Sequence, residues 1–261
     1  MSRLSGVFSE DRKALLVFLT AGFPRPGFDR ELAAAVLDAG ADALELGFPF
    51  SDPLADGPLI QSASEKALKN GMTLGKTLDL AAALRSETGA PLVLMGYANP
   101  VYHMGYGEFS LAAADSGVDG AIIPDLPMEE SGPLNEELCK RDLSLIPMAA
   151  PTTSEERLKR VIASGSGFLY LVSMTGLTGD AISSDTPWKK VAAIAREDGG
   201  LPVCVGFGIR NGEDAANAAE AADGVIVGSA VTEQIMNAKN DDEALKNVSR
   251  LVNELAEAIN V

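Results

Sequence analysis

Short apolar runs recur along the whole chain, and within them apolar residues do not alternate with polar ones. A run without alternation is typical of a strand that is buried on both faces, as the strands of a parallel sheet are. Gly, Pro or Asp bounds each run and marks the turns between elements. The eight predicted strands are Leu15–Thr20, Ala43–Gly47, Leu92–Tyr97, Ala121–Ile123, Ser144–Met148, Phe168–Ser173, Val203–Gly206 and Val225–Val227.

The segments between these runs carry helical spacing. Asp29 is positioned to cap a helix over Arg30–Ala39, and Gly40 follows the end of that helix. The last helix starts near Asp241 and places apolar residues three and four positions apart, so that they share one face. Those residues are Leu245, Val248, Val252, Leu255 and Ile259.

A junction of the same kind precedes several strands. Residues 38–42 read Asp-Ala-Gly-Ala-Asp, residues 115–119 read Asp-Ser-Gly-Val-Asp, and residues 221–224 read Ala-Ala-Asp-Gly. Such repetition indicates one βα unit used again and again. Eight strands alternating with helices predict an α/β fold, a (β/α)₈ TIM barrel with a closed parallel eight-stranded sheet, rather than an open sheet. Since no linker divides the chain, residues 1–261 are expected to form a single domain.

Composition narrows the possible functions. The chain is 46% hydrophobic and 22% charged, which fits a folded protein with a large core and excludes a disordered one. The net charge of −16 excludes nucleic acid and anionic membranes as partners, since both would repel the chain. Two cysteines, Cys139 and Cys204, do not make a disulfide framework. As reduced thiols they predict a cytoplasmic protein.

In a (β/α)₈ barrel the chemistry lies at the C-terminal ends of the strands, on the loops that follow them. These ends carry no lysine, which argues against a Schiff-base aldolase. A single histidine, His103, excludes a histidine-rich metal site and is expected at the surface or an interface. An all-carboxylate Mg²⁺ site stays open on composition, although neither metal nor cofactor is expected. The remaining candidates are the carboxylates of Glu45, Asp52, Asp56 and Asp125.

The segment from Glu45 to Pro58 holds the two most informative carboxylates. Glu45 lies between Leu44 and Leu46 in a buried strand, where loss of solvation raises a carboxyl pKa. It could therefore donate a proton near neutral pH, unless it is a structural carboxylate that accepts backbone hydrogen bonds. Asp56 lies on a loop rich in Pro and Gly, directly before a predicted helix, and the alternative there is a helix N-cap. Together they offer one carboxyl in apolar surroundings and one in wet surroundings.

Two glycine-bearing strand ends predict an anion site. Gly206 and Gly208 close the seventh predicted strand, and Gly228 and Ser229 close the eighth, with a short helix behind. Backbone amides at such positions, with the helix N-terminus, form the phosphate site common in these barrels. Ordinary turn geometry is the alternative. Arg210 could add positive charge there or make an exposed salt bridge.

Residues 173–187 are rich in small residues and lack hydrophobic periodicity. A long segment of this kind suits an active-site lid, and a surface loop without a role is the alternative. Such a lid, next to a buried acid and a phosphate site, would complete a small-molecule active site. It would close over the ends of the strands.

Taken together, these segments resemble the tryptophan synthase alpha chain family, from about Arg12 to the last strand. The matching motifs are residues 20–24, 45–58, 97–100, 124–127, 150–153, 173–179, 206–209 and 227–230. The resemblance implies a barrel that splits indole-3-glycerol phosphate by a retro-aldol reaction into indole and glyceraldehyde 3-phosphate. It also implies a partner, since indole would pass to a separate beta chain within an α₂β₂ heterotetramer.

The resemblance also implies roles for individual residues. Glu45 would be the general acid–base, and Asp56 would accept the indole N–H. Tyr170 would line the site near Glu45, and Thr178 would bind Asp56 on lid closure. The indole ring would be enclosed by Phe18, Ile60, Met95 and Phe207. The phosphate would be held by Gly179, Gly208, Gly228 and Ser229. The beta chain would meet Asp52, Pro53, Asn99 and Pro127.

Three positions depart from the pattern of the family, and they are Phe48, Met174 and Arg210. They bear on lid contacts and phosphate affinity rather than on the proton transfers. Two other functions are the alternatives to this one. Another phosphate-binding aldolase-like barrel would need lysines at the strand ends, which are absent. A purely regulatory subunit would have no use for a buried glutamate beside a phosphate site.

Overall fold

The computed structural model describes residues 3–8, 12–172, 187–197, 200–206 and 208–260. Within these ranges the strands are all paired in parallel. They are β1 (Ala14–Thr20), β2 (Ala43–Gly47), β3 (Leu92–Met95), β4 (Gly120–Ile122), β5 (Ser144–Leu145), β6 (Met148–Ala149), β7 (Leu169–Val172), β8 (Val203–Gly206) and β9 (Gly224–Val227). Their order in the sheet is β5-β4-β3-β2-β1-β9-β8-β7-β6.

The two end strands of this order, β5 and β6, belong to one short segment of chain. The N–H of Ile146 donates to the carbonyl of Ala121 at 2.9 Å, and the N–H of Tyr170 donates to the carbonyl of Pro147 at 2.9 Å. The segment is therefore bonded to the strand on each side, and the sheet closes. Pro147 has no N–H to give a neighbour, which explains why the fifth predicted strand, Ser144–Met148, is split in two. The predicted α/β barrel is confirmed.

The helices lie on the connections between the strands. They are α1 (Phe28–Asp38), α2 (Pro58–Lys69), α3 (Leu74–Arg85), α4 (Ala98–Met104), α5 (Tyr106–Asp115), α6 (Gly132–Cys139), α7 (Glu155–Ala163), α8 (Pro187–Glu197), α9 (Gly212–Ala219), α10 (Ser229–Asn237) and α11 (Asp241–Ala258). A 3₁₀ helix over Leu4–Val7 precedes β1. The part of the chain described here contains no helix that is long and apolar enough to cross a membrane.

The prediction that Asp29 caps the first long helix is wrong. That helix begins at Phe28, with Gly27 as its N-cap, so Asp29 lies inside the first turn. Its buried carboxylate accepts hydrogen bonds from the N–H of Gly22 at 2.8 Å and from that of Gly27 at 2.9 Å. Asp29 thus ties down the loop between β1 and α1. The last helix starts at Asp241, as predicted, and Asn240 caps it.

The repeated junctions have a common structural purpose. In each one an aspartate carboxylate accepts a hydrogen bond from the first residues of the neighbouring strand, at the N-terminal face of the barrel. The bonds join Leu15 N–H to Asp42 (2.8 Å), Leu92 N–H to Asp119 (2.9 Å) and Val203 N–H to Asp223 (2.9 Å). Each aspartate also pairs with an arginine. This face therefore carries stability rather than chemistry.

The core has two layers, one between the sheet and the helices and one inside the barrel. Side chains of the inner layer are the ones that can line a site. Along β1, Leu15, Val17 and Leu19 pack outward in the layer between sheet and helices. Ala14, Leu16 and Phe18 pack in a second cluster inside the barrel. The alternation is hidden in the sequence because both faces are apolar. Residues that point inward near the ends of the strands are the ones that can meet a ligand.

Candidate active site

Glu45 points into the barrel from β2, because Leu44 and Leu46 beside it face the outer layer. Its side chain is fully buried, and among the described residues neither carboxyl oxygen has a hydrogen-bond partner. This burial raises the pKa of Glu45 to about 8. An unpaired buried carboxyl avoids its desolvation cost by staying protonated. Glu45 is therefore a neutral acid at pH 7. It accepts no hydrogen bond from a backbone N–H of the described residues, as a structural carboxylate would.

Asp56 lies on the loop between β2 and α2. The hydroxyl of Tyr97 donates a hydrogen bond to Asp56 Oδ2 at 2.9 Å. Burial raises the pKa of Asp56 to about 6, and the hydrogen bond from Tyr97 acts in the opposite direction. Helix α2 begins at Pro58 with Gly57 as its N-cap, so Asp56 does not occupy the capping position. Asp56 is a mostly ionised carboxylate at neutral pH.

Both carboxyls line one pocket at the C-terminal ends of the strands. The predicted site residues found there with them are Phe18, Ile60, Met95, Tyr170, Gly208, Gly228 and Ser229. The pocket is open to solvent at its mouth. Residues from six different strands, or from the loops and helices that follow them, thus converge on one pocket.

The pocket also contains three residues that the sequence reasoning missed. They are Gly57, Ile209 and Ile226. Ile226 lies on β9, two positions before Gly228. Because side chains alternate along a strand, residues two positions apart share a face, and Ile226 points into the barrel interior. That signal was available in the sequence. Ile209 follows a strand end in irregular chain, where no period applies.

Glycines on neighbouring strands make room for the two inward aromatic rings. A Cβ atom on Gly206 would lie 2.3 Å from the Tyr170 hydroxyl oxygen, and one on Gly47 would lie 2.4 Å from Phe18. Each ring therefore lies across the backbone of the next strand, next to the carboxyls. Burial, with the charges of Glu45 and Asp56 as lesser causes, raises the pKa of Tyr170 well above its usual value. Tyr170 is neutral.

The residues predicted to bind phosphate would offer main-chain groups to a ligand. Helix α10 begins at Ser229 with Gly228 as its N-cap, and the first N–H groups of a helix have no partner inside it. Gly208, which has a φ of +83°, lines the same pocket. The side chain of Arg210 is exposed and points elsewhere, with its Nε 3.6 Å from Asp214. Arg210 makes the exposed salt bridge and does not line the pocket.

The other two candidate carboxylates lie outside the pocket. Asp52 is exposed, and the hydroxyl of Ser51 donates to it at 2.5 Å. Asp125 accepts a hydrogen bond from the N–H of Ala98 at 2.8 Å and so caps helix α4. His103 is exposed on α4. Within the described ranges, His, Cys, Asp and Glu side chains form no group of three that could hold a metal ion.

The residues expected to meet a partner lie on three consecutive connections, each after the C-terminal end of a strand. Asp52 and Pro53 follow β2, Asn99 follows β3, and Pro127 follows β4. All are exposed except Pro53, which is partly exposed. Several expectations fall outside the described residues. They concern Thr178, Gly179, Phe207, Met174 and the lid over residues 173–186.

Comparison with known proteins agrees with this geometry. A family model described as tryptophan synthase alpha chain matches residues 4–260. The tryptophan synthase alpha chain of Methylococcus capsulatus is 47% identical over 248 residues, which cover 93% of each chain. That of Marinobacter nauticus is 44% identical over 266 residues, covering 99% of this chain and 98% of the relative.

Solved structures give the same result. The tryptophan synthase subunit alpha of Legionella pneumophila superposes with a TM-score of 0.91 at 35% identity, covering 100% of this chain and 99% of that one. A chain of Mycobacterium tuberculosis tryptophan synthase superposes with a TM-score of 0.90 at 33% identity, with the same coverage. Similarity of this extent in both sequence and fold shows that the chain belongs to the tryptophan synthase alpha chain family.

Proposed function

We propose that Glu45 and Asp56 perform the alpha reaction of tryptophan biosynthesis, the cleavage of indole-3-glycerol phosphate to indole and glyceraldehyde 3-phosphate. Membership of the family makes the chain a carbon–carbon lyase. The observation that carries the residue assignment is the contrast between the two carboxyls of one pocket. One has a pKa of about 8 and the other of about 6, so at pH 7 one is an acid and the other an anion.

The reaction needs indole C3 to become a leaving group. Glu45 donates its proton to C3, and the ring becomes a cationic indolenine. Asp56 accepts a hydrogen bond from the ring N1–H and stabilises the positive charge that develops there. The ionised Glu45 then removes the proton of the hydroxyl next to the ring. The bond between C3 and the glycerol carbon breaks, its electrons return to the ring, and an aldehyde forms while Glu45 recovers its proton.

The surroundings of each carboxyl suit its role. Glu45 lies among apolar side chains of the barrel interior, where a neutral acid is favoured and a proton is available at neutral pH. Asp56 is held by Tyr97 on the wetter side, where a carboxylate can remain ionised. Each positioned proton transfer contributes roughly 10²–10⁴-fold to the rate.

The rest of the pocket would hold the two ends of the substrate. Phe18, Ile60 and Met95 line the same pocket as the two carboxyls and offer apolar contacts for the indole ring. Main-chain N–H groups at the start of α10 suit the phosphate. Phosphate binding far from the reacting bond supplies orientation. By resemblance, Phe207, Thr178 and Gly179 complete the enclosure, the Asp56 contact and the phosphate site.

The family implies a beta chain partner. We extend the proposal to an α₂β₂ heterotetramer in which indole passes to the beta chain, and to the cytoplasm as its location. The contact is supported by the exposure of Asp52, Asn99 and Pro127, which follow the C-terminal ends of the strands, the same end of the barrel as the pocket. Cys139 and Cys204 are free thiols, as expected for a reducing compartment.

Single-turnover release of indole from indole-3-glycerol phosphate tests the proposal. Asp56→Asn keeps the shape of the side chain and removes its charge, so the rate should fall at least about 100-fold. Asp79→Asn, an exposed position of α3, is the matched control and should release indole at the rate of the unmodified chain. A wild-type rate in Asp56→Asn would remove Asp56 from the mechanism. Absence of indole from the unmodified chain, with and without a beta chain, would overturn the reaction itself.

A further inference from the structure

Tyr97 holds the Asp56 loop from the neighbouring connection. Its hydroxyl donates to Asp56 Oδ2 at 2.9 Å and accepts a hydrogen bond from the N–H of Ala55 at 3.0 Å. Its ring is only 4% exposed and stacks on Phe50, with the centroids 5.4 Å apart and the planes 29° from parallel. One hydroxyl thus fixes both the carboxylate and the main chain beside it.

The position of Tyr97 is itself fixed by a third connection. Tyr97 is the N-cap residue of α4, where its hydroxyl is turned away toward Asp56. The capping is done instead by Asp125, which follows β4 and accepts the N–H of Ala98 at 2.8 Å. The connections after β2, β3 and β4 are therefore joined through consecutive residues of the chain. Movement in one of them would be transmitted to Asp56.

We infer that Tyr97 is a positioning residue of the alpha reaction, which aims the Asp56 carboxylate so that Oδ1 is left to accept the indole N–H. This inference rests on the role proposed for Asp56. A tyrosine hydroxyl with one proton can give it to Oδ2 while its lone pair accepts from Ala55. The two bonds together leave the hydroxyl a single orientation, and they leave Asp56 one oxygen for the substrate.

The charges around this contact favour the same arrangement. Asp56 is faced by Tyr97 from the β3–α4 turn, by Tyr170 from β7 and by Glu45 from β2, while Asp125 acts on Tyr97. Burial, aided by the charge of Asp56 and its hydrogen bond, raises the pKa of Tyr97 far above its usual value. The hydroxyl therefore stays protonated and remains a donor. Its bond opposes the effect of burial on the pKa of Asp56.

Tyr97→Phe separates positioning from packing, because it removes the hydroxyl and keeps the ring that stacks on Phe50. A hydrogen bond to a charged group corresponds to about one unit of pKa, so the acid limb of the kcat/KM profile should move up by about one pH unit. At pH 6 kcat/KM should fall about fivefold, because the ionised fraction of Asp56 falls from about a half to about a tenth, and it should recover as the pH approaches 7.5. The matched control is Tyr102→Phe, an exposed ring on α4 whose aromatic contact is Tyr106.

A second readout needs no turnover. The ¹³C shift of the Asp56 carboxyl, followed against pH in the ligand-free full chain, should have a midpoint about one unit higher in Tyr97→Phe than in the unmodified chain. Thermal unfolding establishes that the variant is folded. If the two titrations coincided, or if kcat/KM of Tyr97→Phe stayed at the wild-type value at every pH, Tyr97 would be only a structural residue.

The two proposals fail in different ways. If Asp56→Asn releases indole at the wild-type rate, the proposed function of Asp56 fails whatever Tyr97→Phe does. If Asp56→Asn is slow while Tyr97→Phe follows the wild-type pH profile and Asp56 titration, only the inference about Tyr97 fails. A shift of the acid limb in Tyr97→Phe, with none in Tyr102→Phe, supports both.

Discussion

Glu45→Gln should lower the activity and raise the stability of the chain. The burial that keeps Glu45 protonated at neutral pH also destabilises the folded state there. In the unfolded chain the Glu45 carboxyl has a pKa near the usual 4.5, and in the folded chain burial raises it to about 8. The folded state therefore binds a proton that the unfolded state has released between these values. Stability is highest below about pH 4.5 and falls as the pH rises toward 8.

The magnitude follows from the two pKa values of Glu45. At 1.36 kcal/mol per unit, holding the carboxyl neutral at pH 7 costs about 3 kcal/mol of unfolding free energy, and the cost grows toward pH 8. Gln has nearly the same shape and cannot ionise, so the variant loses this cost. For a chain of this size the gain corresponds to a rise in Tm of about 5–10 °C at pH 7. Catalysis should fall at least about 100-fold, since Gln cannot transfer the proton.

The assay is a set of thermal unfolding curves of wild type and Glu45→Gln between pH 4.5 and 8, with single-turnover indole release on the same samples. The two Tm values should agree near pH 4.5, where both side chains are neutral, and diverge as the pH rises. Burial also raises the pKa of Asp56, so Asp56 lowers the stability of both proteins as the pH rises. The difference in Tm between the two proteins therefore reports the ionisation of Glu45 alone. Glu257→Gln on the exposed side of α11 is the matched control and should not diverge.

Identical Tm curves for the two proteins would refute the reasoning. They would mean that the Glu45 carboxyl ionises in the folded chain as easily as in water, so that it could not be the proton donor at pH 7. A stabilised variant with wild-type indole release would keep the burial argument and remove Glu45 from the chemistry.

Three further predictions concern the pH profile, the phosphate site and the partner. The kcat/KM profile for indole release should be bell-shaped, with limbs near pH 6 and pH 8, since Asp56 must be ionised and Glu45 protonated; a flat profile would contradict both roles. Ser229→Asp should raise KM at least about tenfold through repulsion of phosphate, with Tm unchanged or higher because an acid suits a helix N-terminus; an unchanged KM would place the phosphate elsewhere. Gly228 is the poorer site for this test, because a Cβ there would lie 3.2 Å from Phe18. Added beta chain should raise kcat, and Asp52→Ala should weaken that increase; equal rates with and without the partner would exclude the coupling.

The sequence by itself determined the barrel and the character of Glu45. Apolar runs without alternation predicted the strands, apart from the division of the fifth at Pro147, because burial on both faces leaves a local signature that needs no knowledge of the neighbours. The same locality applies to Glu45, since Leu44 and Leu46 on either side already imply a buried strand. That residues 1–261 form one domain stays a prediction. Resemblance of the motifs to a family then supplied the reaction, which the family comparisons confirmed.

Tertiary structure decided the features that depend on contacts between distant parts of the chain. The bond that fixes Asp56 comes from Tyr97, 41 residues away, and the sequence gives no sign of that pairing. The sequence alone is consistent with Asp29 as a helix N-cap. The structure shows instead that its carboxylate accepts a hydrogen bond from the N–H of Gly22 in the β1–α1 loop. Pairing across the closed sheet brings Gly206 under the ring of Tyr170. Such contacts depend on how neighbouring strands and loops pack in three dimensions, and local patterns of apolar and polar residues do not encode them.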